Sequence, residues 1–372
     1  MGGMSEPTGE AGIDICGCST YEPPRQPPAI INVTTQSDSG PLEYAFRGTF
    51  DNAYRISGGG VEGPDGWVWA GLYLTGEPGA VDVWFDTTQA SYQYDREIIN
   101  SGTISGRDFS IFSDSALKTL IRNSGDLKGD VALGVGLDQV INHGLIVGSV
   151  STGASGSYYS SSTGSVKRDL VENHGVIRGS VTLGDGDDVF TSFGNARVGT
   201  MTKSAPVRGM DGDDTLTGAD RADKFFGGKG ADKLIGGGSD DRLFGNQDDD
   251  LLRGGAGSDL LAGGLGKDWM SGGAGADVFR FHAVETSERG ARADRIADFE
   301  SGTDLIDLSR IAFDIAFIGK EAFAGSGQAE LRYAAGDNGT ARVLLDADGD
   351  GKTDMRINLQ DTPTLHDSDF LL

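Results

Sequence analysis

Eight consecutive nonapeptides run without a gap from Gly209 to Arg280, and this repeat constrains the fold more than any other feature of the chain. Every unit has Gly at its first position, Asp at its sixth and a bulky apolar residue at its eighth. The sixth positions are Asp214, Asp223, Asp232, Asp241, Asp250, Asp259, Asp268 and Asp277. The eighth positions are Leu216, Phe225, Leu234, Leu243, Leu252, Leu261, Met270 and Phe279. A repeat in such strict register predicts a solenoid, in which each unit contacts only its neighbours.

Each unit divides into a Gly-rich turn of six residues and a strand of three. Side chains alternate along a strand, so the central residue of the three, at the eighth position, points inward. Two units then make one coil of a flattened solenoid, with apolar side chains stacked inside. Glycine allows positive φ in the turns and a close approach of successive coils, which lie about 4.8 Å apart.

This stacking places carboxylates of adjacent coils, such as Asp232 and Asp250, about one coil spacing apart. Two unit charges at that distance repel by about 3–4 kcal/mol at an effective dielectric constant of 20. A hard cation reverses the balance, and Ca²⁺ accepts about six to eight oxygen ligands in a flexible cage, whereas Mg²⁺ demands octahedral geometry. Several Ca²⁺ ions are therefore predicted, and the metal-free roll is expected to be largely unfolded. The predicted ligands are the eight sixth-position Asp residues with Gly227, Gly230, Gly254, Gly257, Gly263, Gly266, Gly272 and Gly275.

The units resemble the GGxGxDxUx repeat of the RTX, or hemolysin-type, calcium-binding family, and the resemblance covers residues 209–280. The units from Gly254 to Arg280 fit the pattern best. Arg221, Ser239 and Asp248 stand at fourth positions where the pattern has Gly.

A second repeat, N-[S/H]-G-x-[I/L]-x-G, begins at Asn100, Asn123, Asn142 and Asn173. Units of about 19–23 residues, with β-branched residues between Gly turns, predict a short parallel β-helix over 98–207. The stretch 153–165 interrupts the spacing and is predicted to be an insertion. His143 and His174 occupy the same slot of two units, which favours a repeat position over a catalytic role.

The first hundred residues carry weaker signals. Residues 1–40 are Pro-rich and are predicted to be a disordered leader, in which Cys16 and Cys18 are plain thiols rather than a soft-metal or redox pair. Residues 41–97 are predicted to form a small β cap. The aromatic residues of 41–95 suit the core of that cap better than the alternative, a sugar-binding platform.

Residues 281–372 resemble the C-terminal module of serralysin-type secreted metalloproteases. The matching strings are GADVFRF at 275–281, DRIADFESGTDLIDLSRI at 294–311 and LLDADGDGKTDMRINL at 344–359. The resemblance implies a β cap that carries a type I secretion signal, with the type I secretion apparatus as partner. The N-terminus has neither a basic n-region nor an apolar h-region, so export through a cleaved signal peptide is not expected.

The string DADGDG at 346–351 looks like the start of an EF-hand loop. A full loop needs a carboxylate at its twelfth position, which here is Ile357. The flanking segments have strand character, so a hairpin turn is favoured over an EF-hand. A weak additional Ca²⁺ site in this turn is the alternative.

Composition and absent motifs bound the function. A net charge of −25 argues against nucleic acid as a partner, and no apolar run is long enough for a membrane span. The four histidines provide no H-E-x-x-H zinc motif, and neither a G-x-S-x-G elbow nor a P-loop occurs. The rival hypothesis is a polysaccharide-acting β-helix enzyme, lyase-like or epimerase-like, that uses Asp185, Asp187 and Asp188. A structural or calcium-related role for these three carboxylates is favoured.

The sequence thus predicts an all-β chain: a parallel β-helix continuing into a Ca²⁺-binding β-roll over 208–280, with a C-terminal β cap over 281–372. The predicted function is that of a secreted bacterial calcium-binding protein, extracellular or bound to the cell surface. It is expected to fold on Ca²⁺ after type I export and to act without catalysis as a surface or matrix component. Extracellular polysaccharide is a candidate partner.

Overall fold

A computed structural model describes residues 119–134, 136–153, 168–284, 293–312, 314–336, 340–360 and 364–372 in full. Before residue 119 it describes only the backbone of separate strands, with the side chains of Asn100, Ser110 and Ile111. The predictions for Cys16 and Cys18, and for all but the first residue of the 153–165 insertion, fall outside the described residues. Two short strands, named β1 and β2 below, lie within the predicted leader. The other residues of that leader are not among the described residues.

The described elements are β-strands and one 3-10 helix, Asp367–Asp369, without an α-helix in this part of the chain. The strands up to residue 177 are β1 Gly12–Asp14, β2 Ile30–Thr34, β3 Tyr44–Phe46, β4 Thr49–Phe50, β5 Arg55–Gly58, β6 Val61–Gly63, β7 Gly66–Val68, β8 Gly79–Phe85, β9 Arg96–Asn100, β10 Thr103–Phe112, β11 Thr119–Asn123, β12 Asp126–Ala132, β13 Gln139–Asn142, β14 Leu145–Ile146, β15 Val150–Ser151, β16 Leu170–Asn173 and β17 Val176–Ile177.

The remaining strands are β18 Val181–Asp185, β19 Val189–Ser192, β20 Arg197–Val198, β21 Val207–Asp211, β22 Thr215–Thr217, β23 Lys224–Lys229, β24 Lys233–Gly238, β25 Arg242–Gln247, β26 Leu251–Ala256, β27 Leu260–Leu265, β28 Trp269–Ala274, β29 Val278–Arg280, β30 Arg295–Ile296, β31 Leu305–Asp307, β32 Ala316–Gly319, β33 Glu330–Ala335, β34 Ala341–Asp346, β35 Met355–Leu359 and β36 Phe370–Leu371. The chain divides into two compact units, one comprising 1–165 with 169–181 and the other 166–168 with 182–372.

In the first unit, successive repeats lie side by side as parallel strands. β11 pairs with β9 and β13, and β13 pairs with β16, so that Ile121, Val140 and Val171 share one inward column and are fully buried. β12 pairs in parallel with β10, β14 and β15 to form a second sheet. The pairing step is 19 residues from β11 to β13 and 31 from β13 to β16, as an insertion between these repeats requires.

In the second unit, the nonapeptides form the predicted roll. Alternate nonapeptides contribute to two parallel sheets, β22–β24–β26–β28 on one side and β21–β23–β25–β27–β29 on the other. Strands pair with a step of 18 residues, as in Lys233 with Leu251 and Leu251 with Trp269. All eight eighth-position side chains are fully buried, and burial of each large apolar side chain stabilises the fold by about 1.5–3 kcal/mol. The expected solenoid of two nonapeptides per coil is confirmed.

The C-terminal residues extend this roll and then change direction. β30 pairs in parallel with β28, and β31 with β29, so both sheets gain a strand beyond the nonapeptides. β33, β34 and β35 form an antiparallel meander. β36 pairs in parallel with β31 and places Phe370 beside Ile306, while buried Asp369 accepts a hydrogen bond from Ser301 Oγ at 2.8 Å. The expectation of an all-β chain rich in parallel coils is confirmed.

Candidate metal sites

The sixth-position Asp residues form two rows, one on each side of the roll, immediately before the strands. In one row Asp214 donates its backbone N–H to Oδ1 of Asp232, and Asp232 donates to Oδ1 of Asp250, both at 2.8 Å. In the other row Asp223 donates to Asp241, and Asp241 to Asp259, both at 2.7 Å. One carboxylate oxygen of each acceptor therefore fixes the turn of the preceding coil. Sequence reasoning named these carboxylates as metal ligands and missed this hydrogen bond.

The second carboxylate oxygen has a different environment. All eight sixth-position Asp side chains are buried, with at most 5% exposure. The Oδ2 atoms without a hydrogen-bond partner belong to Asp214, Asp232, Asp241, Asp250, Asp259, Asp268 and Asp277. In Asp223, the remaining sixth-position residue, the backbone of Ala219 forms a hydrogen bond to the carboxylate. A buried carboxylate oxygen without a partner costs several kcal/mol unless a cation meets it, which makes these rows candidate metal sites.

Carbonyl oxygens converge on the same positions. A Cβ placed on the first-position Gly227 would overlap Asp232 Oδ2 and lie 2.8 Å from the carbonyl oxygen of Gly245 in the next coil. The first-position glycines at 254, 263 and 272 have the same relation to Oδ2 of their own Asp. Only a residue without a side chain leaves this space open, and the space is bounded by oxygen atoms. Carboxylate and carbonyl oxygens are the ligands that Ca²⁺ prefers.

The fourth-position glycines serve the turn geometry. Gly230, Gly257, Gly266 and Gly275 have φ values between 110° and 136°, and an added Cβ on each would overlap a carbonyl oxygen of the preceding coil. Ser239 and Asp248 retain positive φ at fourth positions, 67° and 73°, a conformation that is costly for residues other than Gly. Arg221 does not have positive φ, and its side chain donates to the carbonyl oxygen of Asn195 at 3.2 Å. The turn with Arg221 thus departs from the pattern in conformation as well as in sequence.

Electrostatics oppose ionisation of the rows in the absence of metal. Desolvation by burial, followed by repulsion from the neighbouring carboxylates Asp268 and Asp232, raises the pKa of Asp250 to about 9. Desolvation likewise raises the pKa of other row members, to about 8 for Asp214 and Asp241, about 7 for Asp223, Asp232 and Asp268, and about 6 for Asp277. A bound divalent cation would offset both causes of the shift.

The rows extend beyond the nonapeptides. Asp268 donates its N–H to Oδ1 of Asp294 at 2.8 Å, and Asp277 donates to Oδ1 of Asp304 at 3.0 Å. Before the roll, Asp188 donates to Oδ1 of Asp214 at 2.8 Å. Asp294 and Asp304 were not predicted as members of the rows, whereas a structural or calcium-related role was favoured for Asp188. Each stands two positions before a buried apolar residue, so the string Asp-x-apolar was the signal that could have found them.

A separate acidic cluster lies in the turn between β34 and β35. Carboxylate oxygens of Asp346, Asp348 and Asp354 lie within 4.8 Å of one another. Asp346 is fully buried and accepts N–H bonds from Gly349 at 2.8 Å and Gly351 at 2.7 Å. The antiparallel pairing of β34 with β35 confirms the hairpin that the sequence favoured over an EF-hand.

The remaining candidate residues have structural contacts. Buried Asn100, Asn123, Asn142 and Asn173 form a ladder, in which each side-chain amide donates to the carbonyl oxygen of the next at 2.7–2.9 Å. His143 and His174 stack on adjacent coils with centroids 4.4 Å apart, as the repeat-position reading expects. Asp187 Oδ1 accepts the N–H of Asp213 at 3.0 Å, which ties the turn at 187 to the next coil.

Comparisons with known proteins agree with these features. The sequence profile of the family described as Peptidase M10 serralysin C terminal matches residues 100–372. The metallopeptidase AprA of Pseudomonas marginalis is 42% identical over 80 residues, which cover 21% of this chain and 16% of AprA. The chain therefore spans a small part of that relative.

Two solved structures are also similar. The AlgE6R3 subunit of the Azotobacter vinelandii mannuronan C5-epimerase is 32% identical, with 37% of this chain and 77% of that chain covered and a TM-score of 0.31. The AlgE6R2 subunit is 28% identical, with 46% and 94% covered and a TM-score of 0.29. No helix in the described part of the chain is long and apolar enough to cross a membrane. The family match spans most of the chain and includes the whole roll, so the protein is of the RTX repeat type and belongs to the serralysin C-terminal family.

Proposed function

We propose that this chain is a calcium-binding exoprotein that folds when Ca²⁺ occupies the Asp rows after export. The observation that carries the proposal is the series of buried Oδ2 atoms without a hydrogen-bond partner, of which Asp250 is typical. Hydrogen bonding uses only one oxygen of the carboxylate in all sixth-position Asp residues except Asp223, so the other oxygen is available to a cation without loss of the turn. The proposed ligands are the eight sixth-position Asp residues and carbonyl oxygens of the first- and fourth-position glycines.

Folding and metal binding are coupled in this proposal because the ligands come from different coils. Asp232 and Gly245, for example, approach one another only when two coils stack. In an unfolded chain the site does not exist, so the free energy of metal binding becomes free energy of folding. Ca²⁺ suits an array of carboxylate and carbonyl oxygens better than Mg²⁺, which dehydrates reluctantly.

The same coupling suits a protein that crosses a type I apparatus. Where free Ca²⁺ is scarce, repulsion along the rows keeps the chain unfolded and able to pass through a channel. Outside, extracellular calcium modules have dissociation constants of about 0.1–1 mM, and the roll folds. The membership in the serralysin C-terminal family supports export by this route.

The proposed role outside the cell is non-catalytic, as a surface or matrix component that contacts polysaccharide. Support comes from two of the three candidate catalytic carboxylates: Oδ1 of Asp187 accepts the backbone N–H of Asp213 in the next coil, and the side chain of Asp188 is buried. Carboxylates fixed in this way are poorly placed to move protons on a substrate.

The test is a far-UV circular dichroism titration of the full chain with Ca²⁺ and, separately, Mg²⁺, after removal of metal. We expect a cooperative gain of β signal with Ca²⁺ alone. The variant Asp250→Asn should shift the midpoint to about tenfold higher Ca²⁺, since one charged ligand is lost. Asp249→Asn is the matched control, because exposed Asp249 also accepts a backbone N–H from the next coil, from Lys267 at 2.8 Å. A chain that is fully folded without metal, or that responds equally to Mg²⁺, would refute the proposal.

A further inference from the structure

One face of the roll combines aromatic and basic side chains. On the sheet β21–β23–β25–β27–β29, the residues at the seventh and ninth positions of the nonapeptides point away from the core. Together with Arg208, which precedes the first nonapeptide and pairs with Phe226, these residues are Lys224, Phe226, Arg242, Phe244, Leu260, Ala262, Val278 and Arg280. We call this set the aromatic face. It contains four basic residues, of which Arg280 is paired with Asp307 on the next strand at 2.6 Å, and no acidic one, in a chain whose net charge is −25.

The centre of the aromatic face is an ordered stack. Phe226 and Phe244 lie on adjacent strands with ring centroids 4.8 Å apart and planes within 12° of parallel. The guanidinium of Arg208 lies 5.6 Å from the Phe226 centroid, and Lys224 Nζ lies 5.0 Å from it. Arg242 is exposed beside the rings. These contacts fix two cations and two rings in one surface.

The stacked rings and their neighbouring cations favour some classes of ligand over others. Because Phe226 has a phenylalanine and two cations against it, little ring face remains on which a planar base could stack. Ring edges carry the positive end of the aromatic quadrupole and, together with Lys and Arg, favour carboxylates. The five strands are about 4.8 Å apart, so the face presents side chains at regular steps over about 20 Å.

We propose that the aromatic face binds an extended polyuronate, a polysaccharide with one carboxylate on each sugar, along the axis of the roll. The apolar C–H surfaces of the sugars would contact Phe244 and Leu260, and their carboxylates would meet Lys224 and Arg242. The charge of the face is complementary to such a chain, whereas the acidic residues of the nonapeptides lie in the turns. This inference rests on the proposed function, because the face exists only in the folded roll, and the proposed function assigns folding outside the cell to Ca²⁺.

The opposite face provides a matched control. There Lys233 stands at a seventh position and Arg253 at a ninth position, and Arg253 lies 5.3 Å from the ring of Trp269, but no pair of rings is stacked. Lys224→Glu/Arg242→Glu and Lys233→Glu/Arg253→Glu change the net charge equally. A difference between the two variants therefore reports on the face and not on the total charge.

The experiment uses the full chain at saturating Ca²⁺ and a fluorescent mannuronate oligomer that is too short to form a calcium gel. Fluorescence anisotropy should show binding that weakens with salt. Lys224→Glu/Arg242→Glu should weaken it about tenfold or more, the expected effect of losing charge-assisted hydrogen bonds, and the opposite-face variant less than about twofold. Phe226→Leu/Phe244→Leu, which keeps the charge, should also weaken binding.

Several results would overturn the proposal: no binding by the parent chain, equal loss in both charge variants, or equal binding of an uncharged glucose oligomer. Equal or tighter binding of single-stranded DNA would assign the face to nucleic acid. Self-association that Lys224→Glu/Arg242→Glu abolishes would assign it to a second copy. Circular dichroism of each variant at saturating Ca²⁺ reports folding, so a folded parent chain that does not bind refutes this inference and leaves the proposed function standing.

Discussion

Acid should restore the fold of the metal-free chain, and the Asp rows give the reason. Asp214, Asp241 and Asp250 have folded-state pKa values of about 8, 8 and 9 against a model-peptide value of 3.8. Between the pKa of the unfolded chain and that of the folded chain, the folded chain binds more protons than the unfolded chain. The free energy of unfolding of the metal-free chain therefore falls as pH rises through this range. Below about pH 4 both states are protonated and the penalty disappears.

The size of the effect follows from the same shifts. Lowering the pH from 8 to 5 crosses three pH units for each of these groups, worth about 4 kcal/mol per group because one unit corresponds to about 1.36 kcal/mol. Three groups give an upper bound of about 12 kcal/mol, which is comparable to the stability of a whole domain, about 5–15 kcal/mol. Even a small part of this free energy can shift the metal-free chain from mostly unfolded to mostly folded.

The assay is circular dichroism of protein freed of Ca²⁺ on a chelating resin, since soluble chelators lose affinity in acid. We expect β signal to appear between pH 8 and pH 5. Asp250→Asn should shift the midpoint to higher pH, because a neutral amide in the row never ionises. Asp249→Asn is the control for the general loss of negative charge and should leave the midpoint nearly unchanged.

The reasoning fails if metal-free protein gives the same spectrum at pH 8 and pH 5, whether folded or unfolded. It also fails if Asp249→Asn shifts the midpoint as far as Asp250→Asn, since acid would then act through net charge and not through the buried rows.

Three further predictions concern single positions. Gly257→Ala should lower the stability of the calcium-bound roll by about 2 kcal/mol or more in chemical denaturation, because φ is 136° and a Cβ would overlap the carbonyl of Ser239; Gly302→Ala, at φ 84° with open space, should cost less. Asn142→Ala should destabilise the first unit by about 2–4 kcal/mol, since two buried ladder bonds are lost, and hydrogen exchange of its strands should show a faster rate. Asp354→Asn should weaken a calcium-binding step in calorimetry without moving the circular dichroism midpoint of the roll, whereas an unchanged isotherm would exclude metal from the hairpin turn.

The roll was predictable because the same nine-residue spacing sets both the turn and strand of each unit and the stacking of units on one another. The eighth-position residues, from Leu216 to Phe279, are spaced by a constant nine residues, so the inward column could be located from the sequence alone. The hairpin at Asp346 was predictable for a similar reason, because strand-like segments flank a Gly-rich turn.

Three features were not accessible from the repeat. Asp294 and Asp304 pair with their row neighbours across 26 and 27 residues, and the unequal step hides them from a search for a period of nine. In the sixth-position Asp residues other than Asp223, Oδ1 accepts a hydrogen bond while Oδ2 is the candidate metal ligand. This difference depends on the direction of a backbone N–H in the adjacent coil, which residue spacing does not specify. The aromatic face emerges only when Phe226 and Phe244, 18 residues apart, are placed on neighbouring strands.

The pairing of β36 with β31 bears on aggregation. A parallel solenoid ends in a strand whose N–H and C=O groups face outward and can pair with any other exposed edge. Here Phe370 and Leu371 cover part of that edge, Leu308 donates its N–H to Leu371 at 2.9 Å, and Asp369 holds the segment to the turn at Ser301 and Gly302. A chain truncated before Asp367 would leave this edge open, and successive copies could add to it end to end. We therefore expect strand β36 to oppose end-to-end association of folded rolls.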